Sequence, residues 1–171
     1  MNYYMMGILV GIVVGLILTV IFMKSINRDG KLKTEYDERQ KEARGRGYMY
    51  GFFATIITNG LLMVLSISCD IEVLGISLYF IPILIGIIAQ VTYCVFNDAY
   101  VGLNNNMTRF FVGMTFITAF NFFVGIKALT DGELIVDGKF QGPFVNILCG
   151  SIFLILIVEM LIKKLIDRNE E

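Results

Sequence analysis

Four polar side chains fall within long apolar runs of this 171-residue sequence: Asn59, Gln90, Asn121 and Glu159. An ionisable or amide group inside hydrocarbon is costly, so such residues are where substrate or proton chemistry is sought first. A polar cavity built from these four and open to the cytoplasm would suit a small transporter or channel, with Glu159 as its ionisable wall. The competing reading is interhelical hydrogen bonding, with Glu159 paired to Lys163 four residues on. Little other chemistry is on offer. The chain has no histidine, which removes the usual general base and metal ligand. Cys69, Cys94 and Cys149 are far apart and form no CxxC pair. Asp70, Glu72 and Asp98 are scattered and offer no spaced acid pair. The reading is therefore non-enzymatic, with no catalytic residue, no metal site and no cofactor.

The elements that must position these residues follow from hydropathy. The chain is 56% hydrophobic and only 17% charged, too few charges to coat a soluble core of this length. A net charge of −1 gives no basic field for nucleic acid. Five apolar runs approach the ~20 residues that cross a bilayer as a helix: Tyr3–Met23, Tyr48–Ser68, Val73–Phe96, Phe110–Leu129 and Pro143–Ile162. Lys127 lies inside the fourth and reaches the interface on its long stem. The expected fold is all-α, an integral membrane bundle of five transmembrane helices forming one domain over residues 1–171. No basic residue precedes the first run and no small-residue cleavage site follows it, so it is read as a span and not a signal.

Twelve of the 14 basic residues fall on one side of this arrangement, eight of them in the charged loop 24–47, against Lys127 and Lys139 on the other. The positive-inside rule then places the N-terminus outside and the C-terminus in the cytoplasm. The acceptor-like Asn106-Met107-Thr108 falls on the cytoplasmic side and is discounted as a glycosylation site. Outside, Asp137-Gly138 between Glu133–Val136 and Lys139–Gln141 predicts a small hairpin with a type I′ turn. Alone it would be marginal unless it rests on helix ends.

Small residues mark where helices can approach. Gly7, Gly11 and Gly15 recur at four-residue steps, with Thr19 continuing the row, and Gly47 and Gly51 repeat the spacing at the start of the second span. Pro82 interrupts the third span and predicts a kink; Pro143 begins the fifth, where its missing N–H costs nothing. The loop ahead of the second span reads as a helix capped by Thr34, with Asp37 as the third residue of a capping box. Acid-then-base pairs follow at Glu35–Arg39, Asp37–Lys41 and Glu42–Arg46. Gly45 and Gly47 weaken that helix at the boundary, and Tyr48 and Tyr50 are interfacial anchors. Asp37, Glu38, Arg39, Lys41, Arg44 and Arg46 are thus candidates for a helix docking a cytosolic partner.

Asp37-Glu38-Arg39-Gln40, then Arg44-Gly45-Arg46-Gly47-Tyr48 and Tyr50-Gly51-Phe52-Phe53, resemble a signature of small multi-pass membrane proteins of bacteria, chiefly Firmicutes, for which no activity is established. The resemblance covers about eighteen residues and implies a bacterial plasma membrane. It transfers no catalytic residue. The leading expectation is an accessory, regulatory or immunity-type membrane protein acting through helix contacts in the lipid bilayer, with another protein or a second copy; the alternative is the transporter or channel.

Overall fold

The computed structural model describes residues 3–170. It is all-helical apart from one small hairpin: α1 (Tyr3–Ile26), α2 (Glu38–Ser68), a single 3-10 turn (Ile71–Leu74), α3 (Ser77–Phe96), α4 (Met107–Thr130), strands β1 (Ile135–Val136) and β2 (Lys139–Phe140), and α5 (Gly142–Glu170). All five α-helices are long and apolar enough to cross a membrane. At 1.5 Å per residue even α3, with 20 residues, reaches about 30 Å. The third apolar run is shorter as a helix than its hydropathy suggests. Gly75, at φ +53, ends the 3-10 turn, and α3 starts only at Ser77, whose hydroxyl donates to the Leu74 carbonyl. Pro82 is buried inside α3.

The helices form a row of neighbours, α2 on α3, α3 on α5 and α5 on α4, with α1 touching α4 at the far edge. Two different surfaces hold the row together. Between α3, α4 and α5 the core is bulky, with Val95, Met114, Leu156 and Met160 buried and Phe110, Phe111 and Phe153 packed against them. Between α2 and α3 it is small. Gly47 and Gly51 face α3 so closely that a Cβ on Gly51 would lie 2.8 Å from the Gly86 carbonyl oxygen, and one on Gly47 would lie 2.7 Å from Cys94 Sγ. Glycine is what lets the two backbones meet.

One end of the row carries the hairpin and the other the basic loop. The hairpin pairs Val136 with Lys139 and Ile135 with Phe140. Asp137 and Gly138 both take positive φ, 52° and 74°, as a two-residue type I′ turn demands. Its strands are two residues each, shorter than the segments expected, and it does not stand alone. Lys139 Nζ meets Glu72 Oε2 of the 3-10 turn at 2.7 Å, and the Phe140 ring stacks on Phe144 of α5 with centroids 4.0 Å apart. The Lys139 ammonium holds the Glu72 carboxyl below its ordinary pKa, and Glu72 in turn raises that of Lys139.

Candidate functional site

At the basic end the chain is tied by amides rather than by apolar contact. Asn27, which follows α1, and Asn105, which precedes α4, are both buried and form an isolated antiparallel bridge. Asn105 Nδ2 donates to Asn27 Oδ1, while its Oδ1 accepts the Gly102 N–H at 2.7 Å. Asn27 Nδ2 donates to the Lys31 carbonyl at 2.6 Å. Asn104 continues the seam: its Oδ1 accepts the Glu35 N–H at 2.9 Å and its Nδ2 donates to the Lys33 carbonyl at 3.1 Å. Backbone bonds Arg28 N–H to Asn104 O and Asn106 N–H to Ile26 O, both 2.8 Å, close the knot. Gly102 sits beneath it, where a Cβ would lie 2.1 Å from Thr34 Cγ2. The Lys31 N–H, helped by Asn104, holds the Asp29 carboxyl below its ordinary value. Nothing in the apolar periodicity announces this knot. The three successive asparagines after Gly102 were its only local sign, since such side chains bond nearby backbone in turns.

The knot explains a correction at the start of α2. Thr34 is not the cap. Residues 33–35 are drawn out along the 102–104 segment, with Glu35 O accepting the Leu103 N–H, so the helix begins later. Asp37 is the N-cap, accepting the Gln40 N–H at 2.7 Å, and Gln40 Oε1 completes the capping box by accepting the Asp37 N–H. The Glu35–Arg39 and Asp37–Lys41 pairs are therefore not formed. Lys41 pairs with Glu38 three residues away, Arg46 keeps Glu42, and Arg39 lies 3.9 Å from Asp98.

The proposed docking helix is also partly engaged within the chain. Gln40 Nε2 donates to the Asp98 carbonyl at 2.7 Å, and Arg44 donates to the Ala99 carbonyl at 3.1 Å with its guanidinium 4.2 Å over the Tyr36 ring. Ala43 and Ala99 are buried together with Cys94. Burial pushes the Tyr36 hydroxyl pKa up, and that of Tyr100 to about 12. The solvent face keeps Glu38, Arg39, Lys41 and Arg46.

The four polar residues read as one cavity do not come together. Asn59 is exposed on α2 and donates to its own helix at Thr55 O; Asn121 does likewise at Ile117 O. Gln90 lies on the α2 face of α3, with its Cβ where a side chain on Gly51 would project. Glu159 faces α3 from α5 and accepts from Thr92 Oγ1 at 2.6 Å. It lines a gap of only about 40 Å³, little more than one water. The expected Glu159–Lys163 pair is replaced: Lys163 meets Asp98 at 3.2 Å and also pairs with Asp167, and these carboxylates, Asp167 foremost, raise its ammonium pKa. Thr92 is two residues from Gln90 and so lies on a different side of α3, where only the orientation of α5 reveals it as the partner.

The glycine rows part company as well. Gly47 and Gly51 are filled by α3, while a Cβ added at Gly7, Gly11 or Gly15 would meet nothing within 4 Å. α1 is gripped at its far end, by Phe22 in the notch at Gly113, where a Cβ would lie 2.0 Å from the ring, and by buried Ile26 and Asn27. Before that grip the helix is bare, with Leu9, Val10, Ile12, Val13, Val14, Leu16, Ile17, Leu18 and Val20 each 44–63% exposed.

Fold and side chains together define a bundle of five helices long and apolar enough to cross a membrane, tied at one end by an amide knot. Compared with protein-family models, curated proteins and solved structures, the chain matches none.

Proposed function

We propose that the protein is a non-enzymatic integral membrane subunit that acts by engaging another transmembrane helix through the glycine face of α1. The observation that carries this reading is the bare row Gly7, Gly11 and Gly15, on a helix that, among the described residues, is held to its own bundle from Phe22 to Asn27. A partner helix would gain close backbone approach along that row without disturbing the chain's own core. The partner is a helix of a second membrane protein or of a second copy. The solvent face of α2, with Glu38, Arg39 and Lys41, remains for a cytosolic contact, and the resemblance of residues 37–53 supports a bacterial plasma membrane.

Orientation belongs to the same proposal. The basic loop and the α5 tail lie in the cytoplasm and the hairpin outside, supported by the twelve-to-two division of basic residues. Cysteines placed at Lys33 and Lys164 are expected to resist an impermeant thiol reagent in intact cells, and one at Gly138 to react; labelling at Lys33 before lysis contradicts the orientation. The contact itself is tested by a photo-cross-linking residue at Gly11 in native membranes. A discrete product containing a second membrane chain is expected, and cross-links to lipid alone would contradict the reading.

A further inference from the structure

Glu159 is the only carboxylate within the five apolar runs, and neither the glycine crossings nor the amide knot accounts for it. Its Oε1 accepts from Thr92 Oγ1 at 2.6 Å, within the range of a hydrogen bond to an ionised carboxylate. Its Oε2 has no protein partner among the described residues. No cation answers it either. Across the gap it shares with α3 stand Thr92, Ile88 and Val91, the segment after α3 contributes only Tyr100, and α4 contributes nothing. On α5 itself Lys163, one turn on, is taken by Asp98 and Asp167. An ionisable side chain without a counter-charge among apolar neighbours is where a mobile cation is sought. The gap, about 40 Å³, has room for about one water. A larger space lies behind a single side chain. A cleft of about 420 Å³ opens between the 98–101 segment, the first turn of α4 and the last turns of α5, with Asp98, Lys164 and Asp167 on its charged rim. Tyr100 is the one residue that lines both spaces. Burial pushes its hydroxyl pKa to about 12, so at neutral pH it is an uncharged phenol that can both donate and accept.

We propose that Glu159 is a proton-binding site, filled from the cytoplasmic side through this cleft and past Tyr100. The proton comes from water in the cleft and adds to Oε2, leaving a neutral carboxylic acid. Thr92 keeps its own hydroxyl proton and its bond to Oε1. The ligand is a proton and not a metal ion, because two carboxylate oxygens, one hydroxyl and space for one water fall short of the octahedral or larger oxygen set of a hard cation. The inference goes beyond the helix contact proposed for α1 and shares with that reading only the insertion of the five helices.

The test is modification of the full chain in phosphatidylcholine nanodiscs by dicyclohexylcarbodiimide, a lipid-soluble reagent that takes protonated carboxyls, with the adducts located by mass spectrometry. One adduct is expected, on Glu159, falling about tenfold per pH unit on the alkaline limb. Thr92→Val removes the hydrogen bond to the charged form and should hold the adduct to a more alkaline pH, while Thr92→Ser should restore the wild-type profile. Tyr100→Leu thins the partition and should let a water-soluble carbodiimide reach Glu159, which the wild type excludes. A purely structural carboxylate would change the unfolding temperature of these variants without moving the profile. An unmoved profile in Thr92→Val, or no adduct on Glu159 at any pH, overturns the site. Continued exclusion of the water-soluble reagent by Tyr100→Leu overturns the cytoplasmic route. Equal labelling of wild-type Glu159 by both reagents would place it in water and overturn the insertion itself.

Discussion

The α2–α3 crossing and the free length of α1 carry the same small residues at the same four-residue spacing, and they meet opposite fates. At Gly47 and Gly51 the space a side chain would take is already occupied by α3, down to carbonyl-to-Cβ distances of 2.8 Å. At Gly7, Gly11 and Gly15 the same space is vacant. The spacing therefore says that a helix can be approached closely, and not by what. A further difference is anchorage. The α2 row lies beside a helix start pinned by Gln40 and Arg44 to the 98–99 carbonyls, so its neighbour is held in register. The α1 row lies wholly ahead of the Phe22 grip, and among the described residues nothing comes within 4 Å of where its side chains would project.

That contrast is broken most severely at Gly86. A side chain there would place its Cβ 2.0 Å from Thr55 Oγ1 and 2.8 Å from the Gly51 carbonyl, backbone that cannot step aside. Gly86→Leu is expected to cost about 3 kcal/mol or more, read as loss of monodisperse protein and a lower unfolding temperature in detergent. A variant as stable as the wild type would mean that α2 and α3 are not in contact at that crossing.

The knot gives the next largest effect, because it holds the end of α1 and so decides where the vacant row stands. Asn105→Ala removes the partner of buried Asn27 and of the Gly102 N–H. Orphaned buried groups of this kind cost about 1–3 kcal/mol each. The unfolding temperature should drop, and protease cleavage in the 27–37 loop should accelerate. Asn104→Ala, whose bonds are more exposed, should fall between Asn105→Ala and the wild type. The comparison sharpens if cross-links from Gly11 also weaken in Asn105→Ala.

Much of this was legible without coordinates, for physical reasons that differ by region. Apolar run length marked the five helices because hydrocarbon thickness sets a minimum length, and Asp137-Gly138 marked the hairpin because only such residues accept two successive positive φ values. The amide knot was hidden. Asn27 and Asn105 are 78 residues apart, and their pairing depends on how α1 meets α4. The cap moved from Thr34 to Asp37 for the same cause, a tertiary seam that takes residues 33–35 away from the helix. The four polar residues do not share one cavity because rotation about each helix axis, which apolar run length does not give, turns them apart. Asn59 and Asn121 bond their own helices, Gln90 faces α2 and Glu159 faces α3. Glu159 is part-buried on the α3 side of α5, with Thr92 as its partner where Lys163 was expected.

The smallest effect on the fold is the most informative about function. Gly11→Leu adds a branched side chain where nothing lies within 4 Å, so the purified chain should unfold within about 0.5 kcal/mol of the wild type. Val13→Leu, off the row, is the matched control. Affinity purification of the two variants from native membranes tests the central claim directly. The account predicts that Gly11→Leu loses its co-purifying membrane chain or its self-association while Val13→Leu keeps it; equal recovery from both would mean that the glycine face of α1 meets only lipid.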